Sequence, residues 1–195
     1  MAQGLNPSMK TWLKRWVLGG AIALLVLFSW MPPASAGVND DRYEGNIFPL
    51  YAGNGYLVPP RVTLKQSFDR KTPTVLVFYI DDSRDCKKFA PVLSSVDAFY
   101  GRVVNIIPID ADAIPVKDNY DRTEPGYYYK GFVPQTLVLD QAGDVVLDKV
   151  GDIPYENVDD VLRVVFDLLP RDESIELKRR EVNELNTELV PADQA

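Results

Sequence analysis

The chain has 195 residues, 21 Lys and Arg against 28 Asp and Glu, and a formal charge of -7, which fits one globular domain with tails. It has no His and one Cys, so Ser-His-Asp and Cys-His catalysis, an internal disulfide and a cysteine-rich metal site are all excluded. No basic face offers itself to a phosphate backbone, because the short run Lys178-Arg179-Arg180 is flanked by Glu176 and Glu181, so no nucleic-acid partner is expected.

Residues 1–36 contain no acid. Lys10, Lys14 and Arg15 precede an apolar run, WVLGGAIALLVLFSW, and then MPPASAG. A basic stretch, an apolar stretch and the small residues Ala34-Ser35-Ala36 follow the order of a secretory signal, with the cut expected after Ala36. The run is shorter than the roughly twenty residues that span a bilayer as a helix. An uncleaved signal anchor is the alternative, and both place the rest of the chain on the outer side of a membrane. Loss of the three cations would take the charge from -7 to -10.

Residues 37–61 read as an irregular arm, broken by Gly45, Gly53, Gly55, Pro49, Pro59 and Pro60. Ile47, Phe48, Leu50, Tyr51, Tyr56 and Leu57 are too apolar for a free linker, so the arm should pack on the domain or on a partner. The continuous apolar run at 74–80 predicts a buried strand. Phe89, Val92, Leu93, Val96 and Phe99 give residues 84–99 a helical stripe. Residues 102–109 predict a second strand, and 116–129 a short helix containing Tyr120 and ending near Pro125-Gly126. Residues 135–140 and 144–150 read as a hairpin turning at Gln141-Ala142-Gly143. Residues 155–169 predict a helix stopped by Pro170. A polar helix over 172–189 carries Ile175, Val182, Leu185 and Leu189 on one side. The order predicts an α/β fold, a mixed central sheet flanked by helices, with an N-terminal arm and an extra C-terminal helix. The expected divisions are 1–36, 37–61, 62–170 and 171–195.

The segment FYIDDSRDCKKFAPVL, Phe78 to Leu93, resembles the active-site segment of thioredoxins, in which an aromatic-rich strand runs into CxxC, a Lys and a helix with an internal Pro. Cys86 matches the second cysteine, Lys87 the following lysine and Pro91 the helix proline. Ser83 stands in place of the first cysteine. Gly131-Phe132-Val133-Pro134-Gln135-Thr136 is similar to the family's cis-proline stretch before a strand. With the export signal, the chain resembles the exported, membrane-linked thioredoxin-like branch, including cyanobacterial proteins that face the thylakoid lumen. The resemblance spans about residues 62–168 and implies a thioredoxin-like fold.

The degenerate motif Ser83-Arg84-Asp85-Cys86 lacks the attacking thiol of dithiol exchange. Ser83 is read instead as a helix cap. Val77 stands where the family often keeps a buried Asp, and Asp82 where it keeps a Trp. Cys86 is either a packing residue or a single functional thiol. The resemblance implies that Val133 and Pro134 border a peptide-pairing edge, which Tyr79, Phe132 and the tyrosines 127–129 could extend into a contact patch. Pro134 as a turn proline, and the aromatics as a surface scatter, are the plain alternatives. Asp81, Asp82, Asp110 and Asp112 lack the spacing of a calcium loop, and no metal or cofactor is assigned. Two functions remain: a protein-binding or assembly factor whose partner is another protein or a membrane complex, in the thylakoid lumen or periplasm, or a single-cysteine redox protein acting through Cys86. An unrelated enzyme on the same fold is a distant third.

Overall fold

The computed structural model describes residues 37–174, together with Trp16, Val17, Gly19 and Gly20. The expected signal segment and the C-terminal helix over 172–189 therefore lie largely outside the described residues. Gly37 opens a compact unit of its own.

Four strands form one mixed sheet: β1 Thr74–Tyr79, β2 Asn105–Asp110, β3 Gln135–Leu139 and β4 Val145–Val150, in the order β2-β1-β3-β4. β1 pairs parallel with β2 and antiparallel with β3, placing Val77 opposite Pro108 on one side and Thr136 on the other. β2 lies at the sheet's edge, where a strand tolerates a proline such as Pro108. Every residue of β1 is buried because both faces of the sheet are covered. Val75, Val77, Tyr79 and Val138 face helices α2 (Arg84–Tyr100) and α3 (Tyr155–Val165) and the arm. Leu76, Phe78, Leu137 and Leu139 face Leu64 and Tyr128 on the opposite side.

That opposite side is closed by a short helix that apolar periodicity does not reveal, α1 Leu64–Asp69. Its signal is the capping box Thr63-Leu64-Lys65-Gln66: the Thr63 hydroxyl accepts the Gln66 N–H, and the Gln66 side chain accepts the Thr63 N–H. The helix expected within 116–129 is absent. Single 3-10 turns at Ala111–Ala113 and Pro125–Tyr127 stand there instead. Tyr120 lies outside both, its hydroxyl donating to the Pro115 carbonyl at 2.7 Å and its ring against Gly126. A Cβ on Gly126 would fall 2.4 Å from the ring, so only glycine fits.

Three boundaries differ from the expected ones. α2 continues to Tyr100, and a turn through Gly101 delays β2 to Asn105. α3 ends at Val165, well before Pro170, because Asp167 takes a left-handed φ of 53°. Leu168 N–H then bonds the Arg163 carbonyl at 2.8 Å, and this Schellman-type closure satisfies the final carbonyls. The hairpin turn forms as expected, with the Asp140 carboxylate accepting the N–H groups of Ala142 and Asp144.

Asp159, buried on α3, joins the two helices. It accepts hydrogen bonds from Tyr100 at 2.5 Å, Tyr155 at 3.0 Å and Arg163 at 2.8 Å. Burial pushes this carboxyl up, but the bonds from Tyr100, Arg163 and Tyr155 outweigh it and hold it below the ordinary 3.8. A carboxyl depressed in the folded state contributes stability that is whole above its unfolded value and is lost as pH falls through its folded value. Asp159→Asn should therefore cost about 1–3 kcal/mol at neutral pH. In denaturant melts the deficit should shrink as pH falls below the ordinary carboxylate range. A deficit independent of pH would mean that charge at Asp159 contributes nothing.

Candidate functional site

β1 delivers the chain to Asp81 and Asp82, and α2 begins one residue after Ser83. Ser83 is the N-cap: its hydroxyl oxygen accepts the Cys86 N–H at 3.3 Å, as the sequence predicts. The Arg84 N–H, a second free donor of the first turn, bonds the Asp41 carboxylate of the arm at 2.8 Å. Arg84 and Asp85 are exposed and paired with each other. In this loop the serine and an arm aspartate serve the helix end.

Cys86 is completely buried, at 0% exposure. Burial pushes its thiol up, the Ser83 and Ile80 bonds offset this in part, and Asp85 and Asp81 add to the rise. Its surroundings are those of a packing residue among Val77, Phe89 and Ala90. A thiol-specific reagent should thus leave the folded protein unmodified at neutral pH and titrate one thiol per chain after denaturation. Rapid modification of the folded chain would restore the single-thiol reading.

The arm packs on the domain. Residues 48–52 form one π-helical turn, and Gly55–Leu57 a 3-10 turn. Ile47, Phe48 and Leu57 join the core, and Phe48 stacks edge-on against Tyr79 at 4.9 Å between ring centroids. Asp81 accepts the Ile47 N–H at 3.0 Å and the Asn46 side chain at 3.2 Å. Burial, its first cause, raises the Asp81 carboxyl. Tyr79 is 3% exposed and its hydroxyl accepts from Asn46 at 3.1 Å, so it faces the arm and is removed from any contact patch. Burial pushes the Tyr79 hydroxyl up to about 12.

Lys87 is the residue that sequence reasoning undervalued. Its side chain has no exposed surface. Its ammonium donates to the carbonyls of Gly37 at 3.3 Å, Asp40 at 3.1 Å and Arg42 at 2.6 Å, and to the Asp40 carboxylate at 3.4 Å. Glu44 lies 3.9 Å away, and the Tyr51 ring centroid 5.6 Å. Lys87, Ala90 and Ser94 follow helical spacing and form the face of α2 that receives the arm. Ser94 donates to the Ala52 carbonyl at 3.2 Å and bonds Asn54. A buried ammonium is tolerable only with such partners. A clue in the sequence is a lysine adjoining the apolar stripe, with an acidic segment, 40–44, available to meet it.

The Val133–Pro134 bond is cis. Pro134 is buried, Val133 is half-buried and touches both core clusters, and the Pro134 carbonyl accepts the Gly151 N–H at 2.8 Å. Phe132 is 65% exposed and Tyr127 56%. Tyr128 is buried and Tyr129 is half-buried, tilted against Phe78. The three consecutive tyrosines thus divide between surface and core. Among the described residues, no group of three acidic, Cys or His side chains could hold a metal ion, and no helix is long and apolar enough to cross a membrane.

The β2-β1-β3-β4 sheet, the strand-to-helix loop with Ser83 capping α2 three residues before Cys86, and the cis-proline leading into β3 define a thioredoxin-like protein. The thylakoid membrane protein slr1796 of Synechocystis sp. is 52% identical over 179 residues, covering 87% of this chain and 89% of that protein. The chain belongs to the same family as that protein. No family model matches it. Among solved structures, a variant thioredoxin from Halobacterium salinarum is similar at 18% identity and a TM-score of 0.43, over 55% of this chain and 86% of that one.

Proposed function

We propose that this protein is an exported thioredoxin-like module without dithiol chemistry that binds another protein at the lumenal or periplasmic side of a membrane, as an assembly or maturation factor. The observation that carries the reading is the state of the redox loop: Ser83 caps α2, Cys86 has no exposed surface, and the arm's Asp41 occupies the helix end. Two large aromatics remain exposed in the segment that leads to the cis-proline, Phe132 and Tyr127. Exposed aromatics of this kind supply binding energy at protein interfaces. The Synechocystis relative is described as a thylakoid membrane protein, which supports a thylakoid location. Burial of Cys86 counts against the single-cysteine alternative.

The test uses the tagged full chain to recover partners from solubilised membranes of its own cells. The parent should retain a defined membrane complex, and Phe132→Ser combined with Tyr127→Ser should lower that retention about tenfold or more, the loss of an ordinary aromatic hot spot. Both side chains are exposed, and the Tyr127 ring meets the buried Tyr128 ring edge-on at 4.9 Å, so the variant should stay folded with a fall in Tm of no more than a few degrees. Equal retention by parent and variant would move the contact away from this loop. A parent that is a free monomer in every extract would end the binding reading.

A further inference from the structure

The compact unit opens at Gly37, the residue immediately after Ala34-Ser35-Ala36. The Gly37 nitrogen lies 3.0 Å from each carboxylate oxygen of Glu44. A peptide N–H has one hydrogen, and here it is shared between two acceptors. An α-ammonium has three and can give one to each oxygen. The Gly37 carbonyl takes the buried Lys87 ammonium, and the Tyr51 hydroxyl donates to Glu44 Oε2. The loop from 37 to 44 with Lys87 holds three carboxylates, Asp40, Asp41 and Glu44, against two cations, Arg42 and Lys87. One further positive charge at Gly37 balances it.

We propose that the chain is cut between Ala36 and Gly37 and that Glu44 is a built receptor for the amino terminus this creates. The step is hydrolysis by an endopeptidase of the signal-peptidase class. Water supplies the oxygen that makes Ala36 a carboxylate, the Ala36–Gly37 C–N bond breaks, and the Gly37 nitrogen is protonated to an ammonium. No electron changes hands. Cleavage replaces a neutral amide contact by an ion pair inside the Lys87 cage, so processing locks the arm onto α2. This inference rests on the export reading and is independent of the partner-binding reading.

Two measurements test it. Intact mass and amino-terminal sequencing of the protein from its own cells should give a chain of 159 residues beginning at Gly37 (195 less the first 36). A chain that keeps residues before Gly37, or begins beyond it, overturns the proposal. On the processed protein, the rate of modification by the amino-terminus-selective reagent 2-pyridinecarboxaldehyde is then followed against pH. A free α-amino group titrates near about 7.7–8.0. Pairing with Glu44 should move the midpoint up by about one unit, making the folded protein about tenfold less reactive at neutral pH. The groups facing this amine are Glu44, Asp40, Lys87, Arg42 and Tyr51, and of these Lys87 and Arg42 oppose the rise. Glu44→Gln should return the midpoint to the ordinary range. Should that variant not fold, the parent's own profile decides the matter: a midpoint at or below the ordinary value overturns the receptor role of Glu44.

Discussion

Lys87→Met should loosen the arm from α2 and lower stability by about 2–3 kcal/mol, with a fall in Tm of roughly 4–12 °C. The methionine keeps most of the volume and gains an apolar environment beside Ala90, so the loss reports the ammonium itself. That ammonium satisfies three backbone carbonyls, at Gly37, Asp40 and Arg42. Without it, the carbonyls and the Asp40 carboxylate keep their arrangement only by taking up water. The side chains of Asp40 and Glu44 are one-third and one-fifth exposed, which moderates the cost relative to a fully buried pair. Limited proteolysis should report the same event locally, with cleavage within residues 37–58 faster in the variant and the sheet still protected. Lys87→Arg should not rescue, because a planar guanidinium cannot enter a cage shaped for a compact ammonium. A variant with the parent's Tm and the parent's cleavage pattern would show that the lysine cage does not hold the arm.

The second large effect is a gain. Ser83→Cys should form an internal disulfide with Cys86 under oxidised glutathione, which accepts the two electrons and leaves as two thiols. Parent and variant then differ in kind: one free thiol per chain against none. Positions 83 and 86 share the first turn of α2, and the Ser83 oxygen already meets the Cys86 N–H at 3.3 Å. The substitution removes a cap and should cost about 1 kcal/mol in the reduced form. Reduction of a protein disulfide by the variant should stay poor. Val77 accepts no proton, Asp81, Asp82 and Asp85 disfavour an attacking thiolate, and the arm's Asp41 holds the helix end. Turnover by the parent would overturn the loss of dithiol chemistry. A folded variant that keeps both thiols after oxidation would undermine the placement of residues 83 and 86.

Local chemistry made much of the fold legible. β1 reads directly because a strand covered on both faces must be apolar throughout, and Phe89, Leu93 and Val96 of the expected stripe read because one face of α2 meets the sheet, with Val92 half-buried at its margin; Phe99, counted in the same stripe, is 71% exposed. Ser83 as a cap and Pro134 before β3 depend on neighbours within a few residues. The failures are of the opposite kind. Tyr79 ends a strand beside the redox loop, a fitting place for a contact residue, yet Asn46 and Phe48 cover it from more than thirty residues away. Residues 116–129 have the length for a helix, but Tyr120 packs on Gly126 and folds the segment back on itself. Asp167 in a left-handed conformation ends α3 where no glycine or proline announces a stop.

The sequence by itself determined the thioredoxin-like fold, Ser83 as the cap of α2 and the apolar character of the arm, because each rests on residue type and short spacing. Only the tertiary structure decided that the arm turns back over α2, that Lys87 is enclosed by carbonyls of residues 37–42, and that Cys86 has no path to solvent. The first two depend on groups some forty to fifty positions apart meeting at hydrogen-bond distance, and the third on the packing of the core cluster around the thiol. A buried charge is offset by whichever partners the fold brings to it, and periodicity and local propensity carry no record of which those are.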